Sequence, residues 1–214
     1  MSSNSSTLFD QADLWPDEHD AVHDARIQAD EFGIEPVSPS AAGVLTFLAS
    51  IIKAKTVIEI GTGTGVSGAA LLNGMDPDGT LTTIDLEAEY QRYAKEVYTS
   101  LGEDKPRSRL IAGRALSVLP RMSDAAYDMV FVDSDRGEYP PIMEEATRLL
   151  RDGGLLIFAG VGADGILIDT SRRDPDGEAV RRMADDLRTD ERWVTTLLVE
   201  RPGLLVGLYN GFGG

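Results

Sequence analysis

The sequence contains no cysteine, which excludes disulfide bonds, thiolate metal sites and cysteine nucleophiles. Basic residues are also scarce, because 20 Lys and Arg stand against 36 Asp and Glu and give a formal net charge of -16 at pH 7. Nucleic acids are bound through clustered Lys and Arg, so no nucleic-acid partner is expected, whereas a small cationic ligand is favoured. No apolar run approaches the ~20 residues that cross a bilayer, so no membrane partner is expected either.

The N-terminal segment MSSNSSTLFD is polar and lacks the apolar core of a signal peptide, so we expect a cytoplasmic protein. Its Ser-rich composition predicts that residues 1–14 form a flexible arm, which stays disordered or folds over a partner surface. The rest of the chain, residues 15–214, is long enough to bury one substantial core. We therefore predict a single domain over those residues.

Beyond the arm, two helical patterns at 16–32 and 41–52 precede an alternation of strand-like and helical segments. The strand-like segments are 56–60, 80–85, 109–112, 128–133 and 155–159, and two more at 193–200 and 204–209 flank the turn Arg201-Pro202-Gly203. Such alternation is typical of an α/β fold. We predict a doubly wound, mostly parallel seven-stranded sheet, helices on both faces and a C-terminal antiparallel hairpin.

The most informative motif is VIEIGTGTGVSG at 57–68, where an apolar strand runs into a glycine-rich turn and then a helix. Glycines in such a turn let the backbone approach a ligand closely. Glu59, at the end of the strand, would repel a pyrophosphate but could help to hold a cationic ligand. Gly63, Gly65 and Gly68 also satisfy G-x-G-x-x-G, so a dinucleotide site remains open, as does a purely structural turn.

Further polar groups stand at the carboxyl ends of the next predicted strands, which in open α/β sheets meet at one cleft. Asp85 lies about 20 residues beyond the glycine turn, where a carboxylate can accept hydrogen bonds from both ribose hydroxyls; a solvated acid capping the next helix is the alternative. Gly113-Arg114-Ala115 and Asp133-Ser134-Asp135 follow the third and fourth strands. Asp133 is either a helix-entry residue or a functional group of the cleft.

Together with the block YDMVFVDSD at 127–135, these motifs resemble class I S-adenosylmethionine-dependent methyltransferases. Within them, the chain is similar to the small O-methyltransferases that include catechol and caffeoyl-CoA O-methyltransferases, in their actinobacterial branch. The resemblance covers about residues 37–210. It implies methyl transfer from S-adenosylmethionine to a hydroxyl of a small aromatic acceptor, and a homodimer.

The resemblance also implies a set of cofactor-binding residues. Among them, Glu59, Gly61 and Ser67 would surround the methionine moiety, Asp85 the ribose, and the segment after the third strand the adenine. The full set is Val37, Ser38, Glu59, Gly61, Thr62, Gly63, Ser67, Asp85, Gly113, Arg114, Ala115 and Asp133.

The sequence departs from that family at the metal site. Metal-dependent members carry an Asp after the fourth strand and an Asp-Asn pair after the fifth, which together bind Mg²⁺ and so acidify the acceptor hydroxyl. Here Asp133 matches the first ligand, but Ala159 and Gly160 occupy the other two positions and offer no side-chain oxygen. We assign no metal ligand and do not expect a tight metal site.

The general base is a second departure. Arg136 replaces the Lys of catechol-type members, cannot lose its proton near neutral pH, and could only attract an acidic acceptor. Asp133 and Asp135 are therefore the candidate catalytic carboxylates. His19 and His23, predicted on one helix face, are a further candidate for the base.

Two other functions remain open. The overlapping glycine pattern allows an NAD(P)-dependent oxidoreductase, and the missing Asp-Asn pair allows a non-catalytic S-adenosylmethionine-binding protein. S-adenosylmethionine carries a sulfonium and an ammonium group but no phosphate, so the acid Glu59 beside the turn favours it over a dinucleotide.

Overall fold

The computed structural model describes residues 3–101, 106–169, 171, 173–199 and 201–211. Within these ranges the helices are α1 (Ser3–Asp13), α2 (Asp20–Phe32), α3 (Pro39–Ile51), α4 (Val66–Gly74), α5 (Ala88–Ser100), α6 (Ala115–Val118), α7 (Tyr139–Leu149) and α8 (Pro175–Thr189). The strands are β1 (Thr56–Ile60), β2 (Thr80–Asp85), β3 (Ser108–Ala112), β4 (Tyr127–Val132), β5 (Leu150–Ala159), β6 (Trp193–Leu198) and β7 (Leu204–Tyr209). A short 3₁₀ turn, Arg136–Glu138, lies between β4 and α7.

The seven strands form one sheet in the order β3-β2-β1-β4-β5-β7-β6. The pairs among β1 to β5 are parallel, and β7 runs antiparallel to both β5 and β6. The predicted fold class is therefore confirmed. The strand order reverses between β1 and β4, and ligands of such sheets bind at the carboxyl ends of the strands beside that point.

Two apolar cores cover the two faces of the sheet. Helices α2 to α5 pack on one face through side chains such as Val22, Leu45 and Leu71. Helices α6 to α8 pack on the other through residues that include Ile142 and Val180. Strands buried on both faces read as near-continuous apolar runs, which is why the sequence pattern locates β1 and β4 well.

The C-terminal hairpin forms as predicted, although its first strand ends at Leu198; Glu200 lies outside the described residues. Trp193 packs against Tyr209 at the far end of the pair, with ring centroids 4.8 Å apart. The hairpin adds β7 to the edge of β5 and leaves β6 as the new edge strand.

Both early helices were predicted with slightly different limits, and their caps explain the difference. Helix α2 starts at Asp20 because His19 is its N-cap, with Nδ1 accepting from Ala21 N at 3.2 Å. Helix α3 starts at Pro39, a favourable first helical residue, behind the N-cap Ser38.

The predicted N-terminal arm contains a regular element, because α1 spans Ser3–Asp13. Asp13 Oδ1 accepts hydrogen bonds from Ser40 N at 3.1 Å and Ser40 Oγ at 2.6 Å, which joins α1 to the start of α3. Met1 and Ser2, like residues 212–214 at the other terminus, lie outside the described residues. The flexibility of the arm and the domain boundary at residue 14 stay predictions.

Within the described part of the chain, no helix has the length and apolar character needed to cross a membrane. The cytoplasmic location stays a prediction.

Candidate active site

A cleft of about 440 Å³ opens at the carboxyl ends of β1, β2, β3 and β4. The structure brings the predicted strand-end residues together there: Gly61, Asp85, Gly113 and Asp133 all line it. The loop between α2 and α3 closes one side through Ile34 to Val37. The volume lies within the range of ordinary small-molecule sites.

The three glycines of the turn after β1 have different roles. A Cβ at Gly61 would overlap the carbonyl oxygen of Asp133, so this glycine lets β1 and β4 run close together. A Cβ at Gly65 would come within 2.8 Å of Ala94 on α5. Only Gly63 faces open space, where a Cβ would meet nothing nearer than Ile34 at 3.6 Å. Gly61 and Gly65 thus make room for neighbouring parts of the protein, although Gly61 also lines the cleft.

Asp85 is held rigidly at the end of β2. Its Oδ2 accepts from Gly63 N at 2.9 Å and its Oδ1 accepts from Glu87 N at 2.9 Å. The carboxylate thus ties the glycine turn to the β2 end while lining the cleft. Such a fixed acceptor suits the hydroxyl pair of a ribose.

Glu59 does not reach the cleft wall. Its side chain is fully buried beneath the turn, where it accepts from Ser67 Oγ at 2.7 Å and from Thr83 Oγ1 at 2.6 Å. Burial raises the pKa of Glu59 to about 7, while these two hydroxyl donors oppose the rise. In this geometry Glu59 cannot contact a ligand in the cleft directly. It can act on the cleft through its charge and through Ser67, which lines the cleft.

Tyr98, which lies near Glu59, explains the glycine at position 68 of α4. A Cβ there would overlap the hydroxyl of Tyr98, which reaches across from α5 toward Glu59. Burial and the neighbouring carboxylate raise the pKa of Tyr98 above its usual range. The third glycine of the G-x-G-x-x-G pattern thus serves helix packing.

Three other predicted residues lie on the turn and on the loop before α3. Thr62 lines the cleft and its hydroxyl is 2.6 Å from that of Thr83. Val37 also lines the cleft, and its carbonyl oxygen accepts from Arg26 at 2.6 Å. Ser38 is not among the lining residues; its Oγ accepts from Ala41 N at 3.1 Å and caps α3. The cofactor contact of Ser38 stays a prediction, and in this structure its hydroxyl caps α3.

Gly113, Arg114 and Ala115 line the cleft below β3, as the resemblance implies. Tyr90 of α5 lines the cleft as well, although the sequence reading did not select it. Sequence reasoning also missed three acids of the lining, Glu35, Glu87 and Glu138. Glu87 follows Asp85 by two residues and could have been found from the strand end, and Glu35 precedes the predicted cofactor-binding residue Val37 by two residues.

The cleft wall is strongly acidic. It includes one basic side chain, that of Arg114, among the described residues that line it. The carboxylates on the same wall are Glu35, Asp85, Glu87, Asp133, Asp135 and Glu138. A cationic ligand is therefore favoured and a polyphosphate disfavoured.

The candidate catalytic carboxylates stand at the end of β4. Burial raises the pKa of Asp133 to about 6, the Arg136 guanidinium opposes that rise, and Glu35 adds to it. Asp133 is thus mainly ionised at neutral pH and still close to its pKa, which suits a proton acceptor. Asp135 is exposed at the cleft, where its Oδ1 accepts from Gly137 N at 2.9 Å.

Beside Asp133, the end of β5 offers no metal ligand. Ala159 is buried and its carbonyl accepts from the Tyr139 hydroxyl at 2.9 Å, while Gly160 has no side chain. Among the described residues, no group of three or more His, Asp or Glu side chains is arranged to hold a metal ion. Metal independence stays a prediction, because these observations concern ligands and not turnover.

His19 does not approach this site. It caps α2 and lines a separate cavity with Pro16 and Asn73. His23 is not among the residues that line the cleft either, so the structure gives no support to a histidine base.

The family model for O-methyltransferases matches residues 21–208 of the chain. The chain belongs to the O-methyltransferase family. A protein of Mycolicibacterium smegmatis named as a candidate O-methyltransferase is 39% identical over 208 residues, covering 97% of this chain and 99% of its own. A protein of Mycobacterium sp. (strain KMS) with the same designation is 43% identical over 181 residues, covering 85% and 82% of the two chains.

Solved structures agree with this family. A Corynebacterium glutamicum protein superposes with a TM-score of 0.90 at 29% identity and covers 99% of both chains. The O-methyltransferase TomG of Streptomyces achromogenes, solved with S-adenosylmethionine, gives a TM-score of 0.87 at 27% identity and covers 99% of this chain and 100% of its own. The predicted family is confirmed, and these matches lend no support to the oxidoreductase.

Proposed function

We propose that this O-methyltransferase family enzyme transfers a methyl group from S-adenosylmethionine to a hydroxyl of a small aromatic acceptor. The observation that carries the proposal is the acidic cleft around the glycine turn, which fits a cationic nucleoside without phosphates. TomG, of the same fold, was solved with that cofactor, which supports the assignment by likeness.

The residues of the cleft fit the parts of such a cofactor. Asp85 would accept from the ribose hydroxyls, Gly63 and Ser67 would border the methionine portion, and Gly113 to Ala115 would border the adenine. S-adenosylmethionine, when bound, supplies a methyl group on a positively charged sulfur. The acceptor oxygen must lie in line with that methyl group, and alignment of this kind is worth up to several kcal/mol.

Asp133 is the proposed proton acceptor and Asp135 the second catalytic carboxylate. Both line the cleft. Asp133 would take the hydroxyl proton while the oxygen attacks the methyl carbon, and it would pass that proton to solvent afterwards.

Calorimetric titration tests the cofactor assignment. S-adenosylhomocysteine should bind with micromolar or better affinity, and NADH should give no heat above dilution, because its pyrophosphate would face the acidic wall. Binding of NADH without binding of S-adenosylhomocysteine would overturn the proposal in favour of an oxidoreductase. Methylated product from catechol-type acceptors, detected by mass spectrometry, separates an enzyme from a non-catalytic binder.

We also propose a homodimer. Apolar side chains are exposed on α3 and just after α1, two elements that pack together: Leu14, Trp15, Phe47 and Ile51. Exposed apolar patches of this kind often mark protein interfaces. Sedimentation velocity should show a dimer that Phe47→Ser weakens, and a monomer at all concentrations would contradict the proposal.

A further inference from the structure

Arg26 of α2 joins the segments that precede and follow its own helix. Its Nε and Nη2 donate to the two carboxylate oxygens of Glu18 at 2.8 Å and 2.6 Å, and its Nη1 donates to the carbonyl oxygen of Val37 at 2.6 Å. The side chains of Arg26 and Glu18 are each only 18% exposed. A bidentate pair of this kind holds the guanidinium in one orientation, so Glu18 fixes the group that holds Val37.

The helix that carries Arg26 is itself tied to the glycine turn. Thr64 Oγ1 donates to the carbonyl oxygen of Ala25, the residue before Arg26, at 2.8 Å, and both Thr64 and Ala25 are buried. Ile34 faces the same turn, because a Cβ on Gly63 would lie 3.6 Å from its Cδ1. The turn, α2 and the loop after α2 thus form one connected frame on this side of the cleft.

The loop after α2 has few other hydrogen bonds. Its residues that line the cleft are 34–37. The first is fixed by a backbone bond from Ile34 N to Ala29 O at 3.0 Å. Among the described residues, the next three, 35–37, take part in no backbone–backbone hydrogen bond, and the bond from Arg26 to Val37 is the one hydrogen bond made to them. The hydrogen bonding of this wall of the cleft therefore depends on Arg26.

We propose that Arg26 is a positioning residue of the cofactor site: held by Glu18, it keeps the loop 34–37 in place against the glycine turn and so slows the release of S-adenosylmethionine and S-adenosylhomocysteine. The proposal rests on the methyltransferase function above and adds to it the contact that shapes the cofactor wall. Arg26 is not among the residues that line the cleft and acts through Val37. Without its bond, the loop gains conformational freedom that cofactor binding must remove, which weakens the affinity.

Surface plasmon resonance on the full chain measures the binding of S-adenosylhomocysteine. Arg26→Met should raise the Kd about tenfold, chiefly through faster dissociation, because a hydrogen bond to a charged group is worth roughly one to two factors of ten. Arg26→Lys keeps the charge but lacks the fork that reaches both partners, so it should retain part of the affinity. Arg188→Met is the matched control and should bind like the wild type, because Arg188 Nη2 also pairs with a carboxylate, that of Asp185, at 2.6 Å, but on the exposed face of α8.

Amide hydrogen exchange separates a positioning role from a general loss of stability. In Arg26→Met without ligand, the amides of Glu35 and Val37 should exchange faster, whereas those of β1 and β4 should exchange as in the wild type. Glu18→Gln keeps one acceptor oxygen, so it should show the same changes to a smaller degree, and it replaces Arg26→Met if that variant does not fold. No binding of S-adenosylhomocysteine by the wild type would sink the proposed function. Binding by the wild type with an unchanged Kd in Arg26→Met, or faster exchange throughout the chain and not chiefly in the loop, would overturn the role of Arg26 alone.

Discussion

Asp85 shows at the scale of one residue how a carboxylate can serve both fold and ligand. Two backbone N–H groups, those of Gly63 and Glu87, fix its oxygens at 2.9 Å each. A fixed acceptor loses little entropy when it binds the hydroxyls of a ribose, so its contribution to affinity should be large.

Asp85→Ala should therefore weaken S-adenosylhomocysteine binding by ~1–3 kcal/mol, as expected for lost charge-assisted hydrogen bonds. Calorimetry on the purified variant measures the change. Asp76→Ala is the matched control, because Asp76 also accepts from a backbone N–H two residues on, at 2.9 Å, but precedes β2 at the opposite end of the strand. An unchanged dissociation constant for Asp85→Ala would remove this residue from the site.

Glu59 makes stability depend on pH. Its pKa is raised from 4.5 to about 7 in the folded chain, so the folded state binds this proton more tightly than the unfolded state does. The resulting stability is present below about pH 4.5 and is lost as the pH rises through about 7. Asp133, raised to about 6, acts in the same direction.

The wild type should lose free energy of unfolding between about pH 5 and about pH 8. Glu59→Gln should reduce this loss by on the order of 2–3 kcal/mol, because the amide cannot ionise. Urea unfolding at about pH 5 and about pH 8 gives the two free energies needed for each protein. Exposed Glu31→Gln, in α2, provides the control and should follow the wild type. If the free energy of unfolding changed by the same amount between the two pH values in Glu59→Gln and in the wild type, Glu59 would be ionised at both.

At the scale of elements, Asp128 joins the starts of β1 and β4. Its Oδ2 accepts from Lys55 N at 2.6 Å, Thr56 N at 2.8 Å and Thr56 Oγ1 at 3.2 Å. Arg151 pairs with its other oxygen. The bonds lie at the end of the strands opposite the cleft and fix the register of the two strands that flank the reversal in strand order.

Asp128→Ala should lower the free energy of unfolding by about 2–4 kcal/mol, because it leaves backbone N–H groups of a part-buried site without an acceptor. Asp124→Ala, which breaks the ion pair of an exposed Asp with Arg148, should cost about 1 kcal/mol or less. Denaturant titration compares the two. Equal losses would mean that water replaces Asp128 as the acceptor.

At the scale of the whole molecule, the chain is acidic overall and has an acidic cleft, yet it places the Arg136 guanidinium beside the strand end where metal-dependent relatives carry ligands. We expect turnover of catechol-type acceptors to persist in EDTA and to change little with added Mg²⁺, Mn²⁺ or Ca²⁺, since Ala159 and Gly160 provide no side-chain oxygen. Initial rates with and without chelator decide this. Loss of activity in EDTA with recovery on adding metal would show that Asp133 recruits ligands from elsewhere.

The fold could be predicted from the sequence because each of its signals is local. Apolar runs marked β1 and β4, glycines marked the turn between β1 and α4, and the Pro-Gly turn marked the hairpin. Parallel strands also end at one edge of their sheet, so the positions of Asp85, Gly113 and Asp133 in the sequence were enough to predict that they meet.

The direction of a side chain and the neighbours it acquires across the fold were decided only by the tertiary structure. Glu59 turns beneath the glycine turn because Ser67 and Thr83, far apart in sequence, supply its donors there. The Ser38 hydroxyl caps α3. Glu35 lines the cleft because the loop after α2 folds over the cleft. The contact between Arg136 and Gly160 joins two strand ends that lie side by side in the sheet but 24 residues apart in the chain, a relation that no local pattern encodes.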